Sequence, residues 1–238
     1  MLKGAIAQKN ILSGNAGSVC FLLACLFSTS HACASLKLSE TRAVISANDE
    51  SAIIKVENPT NYDYLIQSWV TDYNNRSQEK VFVNPPIMKI KAHHKVALHI
   101  EAVDASLKQE KQERIFLLNI KEIPKTDSRQ AGSQVILTML TKIKVFYRPA
   151  KIEPEIANQY QQLTWHNSGN KLVVSNPTPY YFTFNKVWEG NNSNSPLKAD
   201  MVAPYSSLDI GKYRGSNQIH YNIINDYGDI SKTIDYSL

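Results

Sequence analysis

The chain has 238 residues and a formal net charge of +5, with 26 lysines and arginines against 21 aspartates and glutamates. This length is sufficient for two small β-sandwich domains of about 100 residues each, or for one larger domain. The basic residues are scattered among acidic ones without a long run, so we expect no nucleic-acid partner.

The first 34 residues have the features of a secretory signal peptide. Lys3 and Lys9 are the only charged residues, an apolar run covers 19–27, and an Ala-x-Ala cleavage motif ends at Ala34. The apolar run is too short to span a bilayer as a stable helix. We therefore expect export and cleavage after Ala34. Lipoprotein processing at Cys25 is the weaker alternative, because it would cut inside the apolar run.

Cleavage after Ala34 would remove Cys20, Cys25 and Cys33, which are all the cysteines of the chain. The mature protein of 204 residues (238 − 34) would then carry a net charge of +3 (24 − 21), because the signal peptide contains two lysines and no acid. It would have no disulfide despite export, and neither thiol catalysis nor a cysteine-bound metal. Its stability must come from apolar cores.

Alternation of apolar and polar residues predicts β-strands through most of the mature chain, and no stretch has a convincing helical period. The predicted strands are 52–56, 64–70, 96–100, 115–120 and 134–147, followed by 163–165, 171–175, 180–187 and 220–224. The breaks at Arg148-Pro149 and Glu153-Pro154 separate the two series. The pattern predicts two β-sandwiches joined by a short linker near 149–156.

Several short segments give the chain a more specific signature. They are LSETRAVI at 38–45, LIQSW at 65–69, NPP at 84–86, ERIF at 113–116, NIKEIP at 119–124, TKIKVFYRP at 141–149, NPTPYY at 176–181 and INDYG at 224–228. In this order and spacing they resemble the periplasmic pilus chaperones of the chaperone–usher systems. Three residues depart from that family: Leu118 replaces the usual aromatic residue, Lys125 follows Pro124 where a proline or small residue is usual, and Lys111 stands where a small polar residue or Asp is common. The chain also ends about ten residues after Gly228, so we expect the last strand and the C-terminal disulfide of some relatives to be missing.

The resemblance implies an all-β fold of two immunoglobulin-like β-sandwich domains, 35–150 and 151–238, arranged at an angle with a cleft between them. It implies a periplasmic chaperone that binds pilus or fimbrial subunits by donor-strand complementation and anchors the C-terminal carboxylate of the subunit. Such a chaperone prevents subunit aggregation and delivers subunits to an outer-membrane usher. It is not an enzyme and needs no cofactor.

The resemblance places Arg42 and Lys144 in the cleft as the anchor for the carboxylate of the subunit. The residue types suit this role, because a guanidinium presents a planar fork of donors and an ammonium a compact charge. Without the resemblance, both would be interpreted as solvated charges on strands.

The resemblance also assigns Val135, Leu137 and Met139 to the donor strand, whose apolar side chains enter a groove where the sandwich of the subunit lacks a strand. Chaperone–pilin complexes are an established example of such β-strand addition. The alternative is packing into the core of their own domain. Both can hold, because Ile136 and Leu140 are apolar too, so one face can serve the home core and the other the client. Lys144 falls on the opposite face of an ideal strand, so a bulge, a twist or a change of environment must intervene if all four residues meet one client.

Glu113, Arg148 and Asp226 match the interdomain salt-bridge positions of the family. Such a network would fix the angle of the cleft rather than add stability. The alternative is three unrelated surface charges. The polar segment 125–134 has the length of the short-loop subclass, which is associated with rod-like pili.

Other functions explain fewer features of the sequence. It contains no G-x-S-x-G, H-E-x-x-H or phosphate-binding loop. His93 and His94 would point to opposite faces of a strand, and His99 adds no carboxylate or cysteine set, so we expect no metal site. A secreted immunoglobulin-like adhesin or receptor module is the main alternative, and a family member serving non-pilus fibres is another. We also expect some self-association of the client-free protein through its exposed strand edge.

Overall fold

A computed structural model gives the structure of residues 36–125, 137–152 and 155–238. The predicted signal peptide and Val135 lie outside these ranges, as does nearly all of the predicted loop 125–134. Within these ranges no helix has the length and apolar character needed to cross a membrane. The protein is mostly β-strand with little helix, which confirms the predicted all-β class.

The N-terminal sandwich is built from two sheets. Its strands are β1 (Lys37–Leu38), β2 (Arg42–Ser46), β3 (Ser51–Glu57), β4 (Tyr64–Asp72), β5 (Val81–Asn84), β6 (Ile87–Ile90), β7 (Lys95–Ala102), β8 (Arg114–Pro124) and β9 (Met139–Arg148). One sheet has the order β1-β3-β7-β5, and the other has the order β2-β9-β8-β4-β6. The pairing of β2 with β9 is parallel, whereas the other pairings are antiparallel.

The C-terminal sandwich follows a short 3₁₀ helix, Ile156–Gln162. Its strands are β10 (Thr164–Ser168), β11 (Lys171–Asn176), β12 (Phe182–Glu189), β13 (Met201–Val202), β14 (Ser206–Lys212), β15 (Gln218–Ile223) and β16 (Ile234–Ser237). They form one sheet of order β10-β11-β14 and another of order β13-β12-β15-β16. A second 3₁₀ helix, Ala105–Gln109, lies between β7 and β8. Neither helix was indicated by the apolar pattern.

Each sandwich has its own apolar core. In the first, alternate residues such as Ile45, Leu98 and Val145 point inward from the two sheets. In the second, Trp165 contacts Tyr221 with ring centroids 5.2 Å apart, among other aromatic contacts. Burial of large aliphatic and aromatic side chains contributes about 1.5–3 kcal/mol each.

The expectation that the last strand is missing was wrong. β16 pairs antiparallel with β15, from Gln218 opposite Ser237 to Tyr221 opposite Ile234. Ile234 and Tyr236 pack against the second core, and the residues between and after them face outward. Two apolar residues are too short a pattern to identify as a strand without the partner strand beside them.

We predict that Ile54→Ala lowers the free energy of unfolding by about 2–5 kcal/mol, because it leaves a cavity in the first core. The neighbouring Ile53→Ala should cost less than about 1 kcal/mol, since it changes only strand propensity. Ile54 is 1% exposed and Ile53 is 50% exposed on the same strand. Urea unfolding of the two purified variants tests this, and equal losses would show that β3 is assigned to the wrong register.

Candidate functional site

The parallel pairing of β2 with β9 places the two predicted anchor cations side by side. Arg42 is the register partner of Lys144, and the pairing continues to Ser46 opposite Arg148. Ala43 and Val145, one residue further along each strand, belong to the core. Because side chains alternate along a strand, Arg42 and Lys144 leave the other face of the sheet together.

Arg42 lies at the contact between the two sandwiches and is largely buried. Its Nη1 donates a hydrogen bond of 3.0 Å to the carbonyl oxygen of Ile224, and its guanidinium carbon is 5.8 Å from the ring centroid of Phe146. Its Nε is buried without a hydrogen-bond partner among the described residues. Burial lowers the pKa of Arg42, although the negative charge of Asp226 opposes the shift. The guanidinium therefore has donor capacity that the described residues do not use.

Lys144 is more accessible and has an acidic neighbour. Its Nζ lies 3.3 Å from Oδ1 of Asp200, which precedes β13 in the C-terminal sandwich. The side chain of Lys144 is 23% exposed and that of Asp200 is 75% exposed. An ion pair this close to solvent contributes at most about 1 kcal/mol. Another carboxylate can therefore replace Asp200 on Lys144 at a low cost in free energy.

Arg148, the last residue of β9, joins two carboxylates. Its Nε donates to Oε1 of Glu113 at 2.8 Å, and Nη1 and Nη2 donate to the carboxylate of Asp226 at 2.8 and 3.0 Å. Burial alone would lower the pKa of Arg148, but its hydrogen bonds to Asp226 and the charge of Glu113 raise it above the usual value. The structure thus brings together the three residues of the predicted network.

Glu113 is the most buried member of this network, at 1% exposure. Its Oε2 accepts a hydrogen bond of 2.9 Å from the amide of Tyr181, and its own amide donates to the carbonyl of Pro179. Burial raises the pKa of Glu113 to about 7, against the opposing effects of Arg148 and the Tyr181 amide. One carboxylate thereby ties the start of β8 to the loop before β12.

A tight loop after β15 presents the groups that reach the N-terminal sandwich. The side-chain oxygen of Asn225 accepts hydrogen bonds from the amides of Tyr227 and Asp229, which folds the loop back on itself. Gly228 has φ of +89°, and a Cβ there would lie 2.5 Å from the hydroxyl of Thr41. Glycine is required both for this φ and for the close approach. The loop therefore holds Asp226 and the Ile224 carbonyl in fixed positions.

β9 has one unpaired edge among the described residues. Its pairing with β8 runs from Met139 to Tyr147, whereas its pairing with β2 begins only at Lys144. The main chain of 139–143 on the side away from β8 therefore has no strand beside it in the described part of the chain. We call this segment the open edge. It ends where Arg42 and Lys144 begin.

The predicted donor residues lie at the start of this edge. Leu137 is 77% exposed and Met139 is 55% exposed, so neither packs into the core of its own domain. The strand predicted from residue 134 was too long, because Leu137 is not in a strand and β9 begins at Met139. In the β8–β9 register Leu137 would face Pro124, which has no amide to donate. Val135 lies outside the described residues.

Between Met139 and Tyr147 the β8–β9 register runs without a shift, so this stretch contains no bulge. The predicted anchor cations, Arg42 and Lys144, lie beyond the end of the open edge, which is a change of environment along β9. They can meet the end of an added strand without sharing a face with its side-chain pockets.

The histidines do not form a metal site in the part of the chain that the structure covers, where no group of three ligating residues occurs. The assumption that His93 and His94 lie on a strand was wrong. They occupy the turn before β7, where His93 has φ of +59° and contacts the side chain of Asn61. The side chain of Asn61 is hydrogen-bonded to one ring nitrogen of His93, and the carbonyl of Ala92 to one ring nitrogen of His94.

Sequence reasoning missed Asp200, Tyr181 and the carbonyl of Ile224. Asp200 is one of many exposed acids, and nothing in its local sequence distinguishes it. The other two act through main-chain atoms, so their side chains give no signal. Only the packing of one sandwich on the other selects these three groups.

Two family models match this chain in succession. Residues 35–153 match the model for the pili and flagellar-assembly chaperone PapD N-terminal domain, and residues 158–234 match that for the pili assembly chaperone PapD C-terminal domain. Together they cover most of the sequence. The protein is thus a two-domain immunoglobulin-like chaperone, and it belongs to the family of periplasmic pilus-assembly chaperones of the chaperone–usher pathway. The predicted family membership is confirmed.

Curated relatives of similar length agree with this assignment. The chain is 34% identical over 206 residues to the chaperone protein PmfD of Proteus mirabilis, covering 82% of this chain and 80% of PmfD. It is 34% identical over 200 residues to the chaperone protein FimC of Escherichia coli K12, covering 82% and 81%.

Solved structures show the same architecture. A chain in the structure of the Salmonella enterica SafA pilin in complex with the SafB chaperone aligns with a TM-score of 0.76 and 28% identity, covering 86% of this chain and 96% of that one. The E. coli chaperone DraB aligns with a TM-score of 0.74 and 25% identity, covering 86% and 97%.

We predict that Arg148→Met lowers the free energy of unfolding by about 3–5 kcal/mol at pH 8, because Glu113 is left buried without its cation. The loss should be smaller at pH 5. Folding raises the pKa of the Glu113 carboxyl from 4.5 to about 7. Between pH 4.5 and pH 7 the carboxyl therefore takes up a proton when the protein folds, and its contribution to stability falls as pH rises. Losing Arg148 raises this pKa further.

Urea unfolding of wild type and variant at both pH values measures the effect. Arg114→Met is the control, because Arg114 pairs with Glu110 near the surface and its loss should cost at most about 1 kcal/mol at either pH. An Arg148→Met penalty that is the same at pH 5 and pH 8 would contradict the assignment.

Proposed function

We propose that this protein holds pilus or fimbrial subunits by adding a strand to them at the open edge, and that Arg42 and Lys144 bind the C-terminal carboxylate of the subunit. The observation that supports this best is the order of features along β9. Exposed apolar side chains come first, then an unpaired stretch of main chain, then two cations from adjacent strands. The chaperone–pilin complex among the similar structures supports subunits as the clients.

The position of the cations sets the direction of the added strand. β9 runs from Met139 toward Arg148, and the cations lie at the far end of the open edge. A client strand whose C-terminus reaches them must run parallel to β9, as β2 does beyond that point. It would extend the sheet in line with β2. Main-chain hydrogen bonds along 139–143 would then supply affinity for any sequence, while side chains select the client.

The anchor would act through charge-assisted hydrogen bonds. Each such bond contributes about 1.5–3 kcal/mol. Among the described residues, Arg42 donates to the carbonyl of Ile224 and Lys144 pairs with an exposed aspartate. Both cations can therefore accept a new carboxylate without breaking a buried ion pair.

The network of Glu113, Arg148 and Asp226 would hold the two domains, which we place at 35–150 and 151–238, at a fixed angle. The loop that carries Asp226 also carries the carbonyl that orients Arg42. A fixed angle would keep the cleft at a width suited to one strand terminus. Binding would then require no domain closure.

We further propose that the protein is exported with cleavage after Ala34, acts in the periplasm without catalysis, and delivers its clients to an outer-membrane usher. When empty, the open edge would pair weakly with a second copy. A member of this family that serves non-pilus fibres would use the same mechanism with different clients.

Lys144→Ala should reduce retention of a co-expressed pilus subunit by about tenfold to a hundredfold, because it removes one charge-assisted hydrogen bond. The thermal midpoint should change little, since the Asp200 pair is exposed. Pull-down of the subunit from periplasmic extract measures retention. Lys171→Ala removes a lysine paired with Asp209 in the other domain and should leave retention unchanged. Normal retention by Lys144→Ala would refute the anchor.

Leu137→Glu should reduce subunit capture at least about tenfold, because it would place a carboxylate in an apolar groove of the client. Phe82→Glu introduces the same charge at an exposed apolar residue of β5, in the other sheet, and serves as the control. Recovery of soluble subunit in the periplasm is the measurement. Equal capture by both variants would mean that Leu137 is not part of the donor segment.

A further inference from the structure

The carboxylate of Asp200 occupies the position on Lys144 that a client carboxylate would need. Its Oδ1 is 3.3 Å from the Nζ of Lys144, and the two residues come from different sandwiches. Asp200 is 75% exposed, so no burial requires it to be paired. The contact is therefore an exposed ion pair across the predicted cleft.

The main chain around Asp200 is held firmly, which keeps its carboxylate near Lys144. The carbonyl of Asp200 accepts a hydrogen bond of 2.8 Å from the amide of Phe184, and the next two residues form β13. β13 pairs with β12 inside the C-terminal sandwich. The charge of Asp200 also affects Tyr73 of the N-terminal sandwich. Burial raises the pKa of Tyr73, and the negative charge of Asp200 raises it further.

Arg42 has no comparable competitor in the described part of the chain. Its Nη1 donates to a carbonyl, and the nearby carboxylate of Asp226 is bonded to Arg148 through both of its oxygens. A carboxylate arriving at the two cations therefore meets one guanidinium that donates to a carbonyl and one ammonium that already has an anionic partner.

We propose that Asp200 is a built-in competitor for the C-terminal carboxylate of the client. This inference rests on the proposed function, in which Lys144 binds that carboxylate. In the empty protein Asp200 neutralises Lys144. When a client arrives, its carboxylate displaces Asp200, and the two like charges then lie close together. Asp200 thereby weakens the anchor and favours the release of the client strand.

The test compares wild-type full-length protein with Asp200→Asn, which keeps the shape of the side chain and removes its charge. The probe is a labelled synthetic peptide in which valine alternates with threonine, made with a C-terminal carboxylate and as the C-terminal amide. We expect Asp200→Asn to bind the carboxylate peptide about two- to fivefold more tightly, the range set by an exposed ion pair. Binding of the amide peptide should not change.

Two further variants make the result specific. Asp209→Asn removes an aspartate that pairs with Lys171 in the other sheet of the same sandwich, and it should not affect binding of either peptide. In the Lys144→Ala background, Asp200→Asn should not change binding of the carboxylate peptide, because the lysine for which Asp200 and the peptide compete is absent.

The outcomes separate the inference from the proposed function. If Asp200→Asn binds the carboxylate peptide equally or more weakly while Lys144→Ala still weakens it, the competitor role is overturned and the anchor stands. If wild type and Lys144→Ala both bind carboxylate and amide peptides alike, the anchor itself is overturned. A measurement on the empty protein is independent of the peptide: after reductive ¹³C-methylation of lysines, the Lys144 resonance should shift in Asp200→Asn, and an unchanged resonance would overturn the inference.

Discussion

A single guanidinium, that of Arg148, bonds to one carboxylate from each sandwich, and the geometry of the site depends on it. Arg148 is the last residue of the strand that carries Lys144 and the open edge. Its partner Asp226 belongs to the loop whose carbonyl holds Arg42. The position of the second domain is therefore tied to the same strand that would hold a client. Any change in the angle between the sandwiches would alter the contact of Arg42 with Ile224 and that of Lys144 with Asp200.

The charges at this contact have different physical roles. Glu113 and Arg148 are buried, so exchanging their partners would leave a desolvated charge, and this makes the network rigid. Lys144 and Asp200 are near solvent, where an ion pair forms and breaks at little cost. A rigid pair beside an exchangeable one would suit the proposed capture and release of a client carboxylate.

Much of the fold could be predicted from the sequence, because most strands have one buried face. Alternation located β4, β7 and β8 within a few residues. The alternation pattern failed where the extent of a strand depends on the strand beside it. The strand predicted from residue 134 was too long because Pro124 cannot continue the ladder, and β16 was missed because its two apolar residues need β15 beside them. Asp200 could not be found at all, since its partner is 56 residues away in the other domain.

The parallel pairing of β2 with β9 has a consequence for how the protein is made. Arg42 is synthesised 102 residues before its partner Lys144 (144 − 42). β2 therefore cannot pair with β9 until this last strand of its domain has been synthesised. Contacts of such high sequence separation form late and slowly. The two cations adopt their relative position in that same final step. A chain that has not yet paired β2 with β9 therefore lacks the proposed binding site for a client carboxylate.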